Sequence, residues 1–514
     1  MTQNPTHLAS MPVGRQPNRL RARRLGVDTQ HEMVVFMRQD CPVCRSEGFA
    51  AHARVRLSRG EQSIIATLYH VTDGLLEVDE AGLSESAWVQ LGATDGDEIA
   101  ASHPQPLDSL SRVRGKIYGD RLSAAALRNI LRDIVGGRYD DIHLASFLTA
   151  CAARSLDRVE MIGLTRAMVD AGDRLSWPVR PVADKHSVGG LPGNRTTPIV
   201  VAIAAACGLT MPKTSSRAIT SPAGTADAME TLAPVNLDIA AMRRVVERES
   251  GCVVWGGAVQ LSPADDTLIR VERALDLDSE GQLVASVLSK KIAAGSTHVV
   301  LDIPVGPTAK VRSDEAAAAL SRHLMDVAEA FGIVVEVVAS DGSQPVGRGI
   351  GPALEAVDVL AVLQGAPGAP ADLRTRAVAL AGRLLEMTGT APRGAGVAAA
   401  AQALTEGIAW AKFQRICEAQ GGLRQPPVAP HHHPVLADRA GRVSRIDNRR
   451  LARVAKLAGA PDAKAAGLEL HTRLGAAIDR GGPLFTVHAE TPGELAYALE
   501  FVSANRDVVE VVEK

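Results

Sequence analysis

The sequence predicts a multidomain α/β protein: an N-terminal β-rich domain, a helical subdomain, a large mixed α/β domain and a C-terminal α+β portion. Three observations lead there. The chain has 514 residues, too many for one core, since a domain usually holds roughly 100–200. Its texture changes along its length, from short β-branched runs, to three helical patterns, to an alternation of apolar helices and short strands. Proline-rich stretches mark the joins, at "HPQPLDSL" (His103 to Leu110) and "QPPVAPHHHPV" near Gln425.

In residues 27–100, "EMVVFMR", "ARVRLSR" and "QSIIATLYHV" read as strands, broken by the turn signals "TDG" and "ATDGDE". Next, "LSAAALRNILRDIVGG" places apolar residues at helical spacing and stops on glycines. "DDIHLASFLTACAARS" and "RVEMIGLTRAMVDAG" follow the same pattern. From Pro181 helices alternate with strands such as "THVVLDIPV" and "GIVVEVVAS". The tail "GGPLFTVHAETPGELAYALEFV" reads as strand, turn and helix, and no internal repeat occurs.

Composition narrows the function. Hydrophobic residues make up 46%, charged residues 22% and aromatics 3%, so the cores are built from Ala, Val, Leu and Ile. A net charge of −2 argues against binding nucleic acid by bulk charge. The basic stretch "RQPNRLRARRLG" (Arg15 to Gly26) reads as a solvated arm. No apolar window of about 18 residues suggests a membrane span, and the N-terminus lacks an apolar signal core. Six cysteines make no disulfide scaffold, so the cytoplasm is the expected compartment. "CPVC" (Cys41 to Cys44) has metal or redox spacing but no second ligand pair, and reads as a turn. "HHHP" (His431 to His433) sits in a predicted linker. Neither a catalytic metal nor a covalent serine intermediate is expected, because no H-E-x-x-H or G-x-S-x-G occurs.

The chemistry concentrates in "DKHSVGGLPGNRTTPIVVAIAAACGLTMPKTSSRAITSPAGTADAMETL", from Asp184 to Leu232. Pro198 suits the start of a helix, with Thr197 as its N-cap. Gly189, Gly190 and Gly193 let backbone approach closely before that helix, which suits an anion. A P-loop fails, because Asn194 stands where its second glycine belongs, and no G-x-G-x-x-G occurs. Thr225 can cap a second helix, and Ser215, Ser216, Thr220 and Ser221 add hydroxyls around Arg217. A glycine turn that only packs helix on sheet would read similarly.

At these residues the chain resembles the thymidine phosphorylase family. "DKHSVGG" resembles its phosphate loop, and Ala264 to Gly295 its base-recognition segment. "IDNRRLARVAKLAGAP" and "HTRLGAAIDRGGPLFTVHAE" resemble its C-terminal domain. The resemblance runs from about Gly115 to the end. Three departures, Pro192 in "GGLPGNRTT", the segment "SSRAITSPAGT" and the extra N-terminal domain, are similar to the AMP phosphorylase branch and to bacterial type-2 thymidine phosphorylases.

The resemblance implies phosphorolysis: phosphate attacks C1′ of a nucleoside and the base leaves, so the enzyme is a pentosyltransferase. Lys185, Ser187, Thr197, Ser215 and Thr225 would hold phosphate. Ser286 and Lys290, one helical turn apart, would meet the base. Asp278 matches the position proposed as proton donor in the AMP phosphorylase branch, and in that branch Gly190, the run Ser216, Arg217, Ala218, Ile219, Thr220 and Ser221, and Lys310 would contact the nucleotide. The family's arginine upstream of the serine–lysine pair aligns with Val271, flanked by Arg270 and Arg273 as candidate substitutes. Bland alternatives stand beside these roles. Ser286 and Lys290 would suit a solvated helix face, Asp278 a cap, Arg217 an ion pair, and His186 a hydrogen-bonded core residue.

The implied domains are residues 1–102; 111–175 with about 262–295; 176–261 with about 296–430; and 431–514. The expected reaction is thymidine plus phosphate to thymine plus 2-deoxyribose 1-phosphate. The alternative is an AMP phosphorylase giving adenine and ribose 1,5-bisphosphate, and a third reading is a non-catalytic nucleotide-binding module. No organic cofactor, nucleic acid or membrane partner is expected. The helical face from Leu122 to Met168 is, by the resemblance, the surface of a homodimer or larger homo-oligomer.

Overall fold

The computed structural model describes residues 18–513 except 73, 219, 220, 276 and 278. Two compact units emerge: residues up to 111 with 136–140, and residues 112–135 with 141 onward.

The first unit holds β1 (Arg19–Arg24), β2 (Val34–Arg38), α1 (Pro42–Glu47), β3 (Arg54–Arg59), β4 (Gln62–Val71), β5 (Glu80–Leu83), α2 (Glu85–Leu91) and β6 (Glu98–Ser102). The strands close into a barrel in the order β1-β5-β2-β4-β3-β6, which leaves no open sheet edge. The basic stretch expected to be a solvated arm is in part strand β1. Leu20 and Ala22 point inward at 2% exposure each, while Arg21, Arg23 and Arg24 point outward and bond Asp79, Glu80 and Glu85. One leucine and one alanine among four arginines carry too little periodicity to reveal a strand. "CPVC" is also more than a turn: Cys41 caps α1, its Sγ accepting the Cys44 N–H at 3.1 Å, and both cysteines lie in the barrel core.

The second unit begins with a bundle around α3 (Ser109–Ile117), α4 (Ala124–Val135), α5 (Asp141–Ala153) and α6 (Arg158–Asp170). A capping box starts α6: the Asp157 side chain accepts the Glu160 N–H and Glu160 reaches back to the Asp157 N–H. Then come β7 (Ala183–Ser187), α7 (Thr196–Ala206), β8 (Met211–Ser215), α8 (Thr225–Glu230), α9 (Ile239–Glu249), β9 (Gly251–Trp255), α10 (Pro263–Leu275), α11 (Glu280–Ala293), β10 (His298–Val305), α12 (Asp314–Glu329) and β11 (Val334–Asp341). Helices α10 and α11 return to the bundle, packing on α5 and α6.

Strands β11-β10-β7 and β8-β9 are parallel, and a parallel bridge from Val182 to Thr210 links β7 to β8. Helix α7, "TTPIVVAIAAA", is apolar all round and buried all round, as a helix inside a core must be. The chain leaves β7 toward β8 on one side and β10 toward β11 on the other. The crevice beyond the carboxyl ends of β7 and β10 is therefore the topological switch point, where ligands of such sheets bind.

Two helix starts differ from expectation. Thr196, not Pro198, opens α7, so Thr197 is its second residue and no side chain caps it. Thr225 is the first residue of α8, after Gly224. In both cases the hydroxyl is freed from capping its own helix.

The chain continues through β12 (Gly349–Ile350), α13 (Pro352–Leu363), α14 (Ala371–Met387), α15 (Gly396–Thr405) and α16 (Ile408–Gln420) to β13 (His431–Leu436), β14 (Gly441–Ile446), α17 (Asn448–Leu457), β15 (Gly467–Leu470), β16 (Ala477–Ile478), β17 (Pro483–Ala489), α18 (Pro492–Ala504) and β18 (Val509–Val512). The "HHHP" stretch, expected to be linker, is β13, an edge strand in β12-β15-β17-β13. Pro434 is tolerated because an edge strand needs hydrogen bonds on one side only. Among the described residues no helix is long and apolar enough to cross a membrane.

Candidate functional site

The strands fix where the hydroxyls stand. Ser187, Ser215 and Trp255 are the last residues of β7, β8 and β9, so all three reach the carboxyl end of the sheet. At the switch point, Asn194 Nδ2 donates to Ser187 Oγ at 3.2 Å and to Asp302 Oδ2 at 3.3 Å. Asn194 holds φ +46°, a left-handed turn that asparagine tolerates better than most residues. Gly190, at φ +79°, lies so close to Lys310 that an added Cβ would stand 2.4 Å from the Lys310 backbone N.

Lys185 is 1% exposed, and its Nζ donates to Thr196 Oγ1 at 2.7 Å, inside the first turn of α7. Burial pulls its pKa down to about 8, against the opposing pull of Asp302. Beneath it, Asp184 meets Lys291 at 2.8 Å and Lys213 at 3.3 Å. One carboxylate thus serves two ammonium groups, and burial holds Lys213 well below the ordinary lysine value. His186 is likewise driven well below the usual imidazole range, first by burial and then by four lysines, so it is a neutral ring. It makes no side-chain hydrogen bond among the described residues, which departs from the hydrogen-bonded core residue considered above.

Arg195 ties the two loops together. Its guanidinium bonds Glu355 at 2.6 Å, Thr225 Oγ1 at 2.7 Å and the Ala223 carbonyl at 2.9 Å. Because Arg195 donates to Thr225, the Thr225 hydroxyl hydrogen must point elsewhere. Ser215 Oγ is buried and has no partner among the described residues. Thr197 is 6% exposed on the first turn of α7. Ser216 is exposed, and its carbonyl accepts the Ala226 N–H at 3.2 Å.

The expected nucleotide contacts divide. The Arg217 guanidinium is spent on Glu230, at 2.7 and 2.8 Å, and on Asp227 at 3.2 Å. That pairing pulls Glu230 down to about 2. The Ala218 N–H is spent on Asp227, and the Ser221 hydroxyl on the Ala223 carbonyl. Asp278, Ile219 and Thr220 lie outside the described residues.

On the helical side, Lys290 Nζ donates to Ser286 Oγ at 3.2 Å and meets Asp265 Oδ2 at 2.6 Å. The shared helix face is therefore real, and Asp265, 1% exposed, orients the amine. Val271 is buried in the bundle. Of the flanking arginines, Arg270 pairs with Asp141 at 2.6 Å, and Arg273 is exposed.

A small hollow of about 30 Å³ joins the two sides. Thr214, Ser215, Ser216 and Trp255 line it from the sheet, and Asp266 and Lys290 from the helices. Ser215 and Ser216 thus share one space with Lys290. Sequence reasoning missed Arg195, Asn194, Asp265, Asp266 and Trp255. The adjacent acids at the start of α10 were the one visible signal among them.

The helical bundle domain of the glycosyl transferase family matches residues 112–172, and that family's α/β domain matches residues 179–410. Within that class the chain belongs to the thymidine phosphorylase family. Residues 442–508 match the pyrimidine nucleoside phosphorylase C-terminal domain. A protein of Polaromonas sp. (strain JS666), provisionally named thymidine phosphorylase, is 61% identical over all of both chains. A second, so named in Acidovorax sp. (strain JS42), is 63% identical over 96% of this chain and 97% of its own. Anthranilate phosphoribosyltransferase from Thermus thermophilus shares the fold, with TM-score 0.50 and 23% identity over 60% of this chain and 98% of that one.

Proposed function

We propose that the protein catalyses phosphorolysis of a pyrimidine nucleoside of the thymidine type. Phosphate attacks C1′, the bond from C1′ to N1 breaks, and 2-deoxyribose 1-phosphate and the free base result. The observation that carries the reading is the single cavity that sets buried, unpartnered Ser215 against Lys290. Lys185, Ser187, Thr197, Ser215 and Thr225 hold the phosphate, by one amine and four hydroxyls. Ser286 and Lys290 meet the base, where a cation stabilises the charge that develops as the base departs. The reaction uses inorganic phosphate as co-substrate and needs no organic cofactor, and the protein works in the cytoplasm.

The AMP reading needs a cation to receive a 5′-phosphate. Arg217 and Lys310 are the candidates; the commitment of Arg217 to Glu230 and Asp227 leaves that role to Lys310. We also read the barrel as a domain appended to the catalytic part, and the chain as a homodimer. Ile142, on α5, is 76% exposed and lines an apolar hollow with Ile117 and Ala145.

Base release from thymidine, uridine, cytidine, AMP and CMP, with and without phosphate, tests the function. Phosphate-dependent thymine release is expected. Adenine release from AMP with silence on thymidine would overturn the substrate, and silence on every substrate would leave the non-catalytic binding module.

A further inference from the structure

The cavity holds one acid that no step above employs. Asp265 and Asp266 are neighbours in the first turn of α10, yet their surroundings differ. Asp265 is buried and spent on Lys290 at 2.6 Å. Asp266 lines the cavity beside Lys290 and opposite Ser215 and Ser216. Its carboxyl makes no hydrogen bond or ion pair among the described residues. In a site where Lys185, Arg195, Arg217 and Lys290 all have partners, that is an exception.

We propose that Asp266 is a further catalytic acid of this site, giving its proton to the base as it leaves. This rests on the phosphorolysis reading. As the bond from C1′ to N1 breaks, its electron pair stays on the base. The O–H bond of the Asp266 carboxyl breaks and an N–H or O–H bond forms on the base. The attacking hydrogen phosphate loses a proton when it becomes an ester, so the overall reaction returns one proton for the one consumed. Asp266 is recharged through solvent, which its exposed edge admits.

The electrostatics support this role. Asp266 is exposed to solvent on one side, yet partial desolvation by its neighbours, with Asp265 alongside, pushes it up to about 6 against the pull of Lys290. A first-turn position favours the ionised form by helix polarity alone, so the desolvation outweighs it. The charged groups that face Asp266 are Asp265 on its own helix and Lys290 on α11. The sheet side presents hydroxyls and the Trp255 indole, with Arg217 stacked on that ring at 4.9 Å. A group near 6 is partly protonated at neutral pH and strong enough to donate.

The test compares wild type with Asp266→Asn on thymidine and on 5-nitro-2′-deoxyuridine, whose acidic base departs as an anion without protonation. For thymidine, kcat should fall by roughly 100-fold or more, the scale of a lost general acid. For the nitro substrate the loss should be about tenfold or less. The decline of wild-type kcat/KM as pH rises through about 6 should vanish in the variant. Equal losses on both substrates would make Asp266 structural, and no loss on thymidine would remove it from the reaction; either overturns the proposal. If wild type itself releases no base from either nucleoside, the phosphorolysis reading fails, and this proposal with it. The same pair of measurements on Asp278→Asn separates the two acids: a leaving-group-dependent loss there and none at Asp266 would also overturn it.

Discussion

The sheet and the helical bundle handle positive charge in opposite ways. On the sheet side, Lys185 is buried and leans on a neutral hydroxyl, Thr196. On the helical side, Lys290 is partly exposed and held by a carboxylate. The first lysine carries a charge that burial disfavours, which Asp302 only partly offsets and an arriving anion would relieve further. The second is paired with Asp265, which holds it in place as a cationic donor. The attack site and the leaving-group site proposed above would call for those two different amines.

The sharpest way to break the comparison is to remove each lysine. Lys185→Met should lower phosphorolysis by about 1,000-fold or more, as for other preorganised charges in enclosed sites. It should melt no lower than wild type, because a pKa lowered from 10.5 to about 8 marks an ammonium that costs the fold stability. Lys290→Met should also be inactive, but it strands Asp265 at 1% exposure and should cost about 2 kcal/mol or more, read by thermal or urea unfolding. Equal melting of the two variants would erase the distinction.

Titration sharpens it. Lys185 is charged below about 8, so KM for phosphate should climb as pH rises through that value. The linked effect on stability has the opposite sense. Between about 8 and 10.5 the unfolded chain binds a proton that the native chain lacks, so stability grows with pH across that window. Gly190→Ala should act less strongly, raising KM by about tenfold, since its Cβ would push on Lys310 at φ +79°. The smallest effect should come from the barrel surface: Arg21→Ala breaks a solvent-exposed pair with Asp79, and melting and kinetics should match wild type.

Much of the attack site was legible because its residues are contiguous. Gly189 to Thr197 and Ser215 to Thr225 announce themselves as glycines and hydroxyls within short windows. Ser286 and Lys290 were legible as neighbours, since helical spacing alone brings them together. The division of labour between Asp265 and Asp266 was not, because it depends on how α10 packs against α11. Arg195 stood in plain view within "GNRTT", but its reach to Thr225 and Glu355 crosses 30 and 160 residues of chain. The fold failed to show where patterns were thin, in the arginine-rich β1 and in β13, whose histidines and proline imitate a linker.

Asp184 serving two lysines has a consequence for heat as well as for structure. With Lys213 held well below its usual value and Lys185 near 8, these amines are short of protons relative to free lysines. An anion seated above them raises the affinity of both amines for protons, so capture of phosphate is also an uptake of protons from the medium. Calorimetry in two buffers of different ionisation enthalpy should therefore return two different binding heats for one and the same affinity.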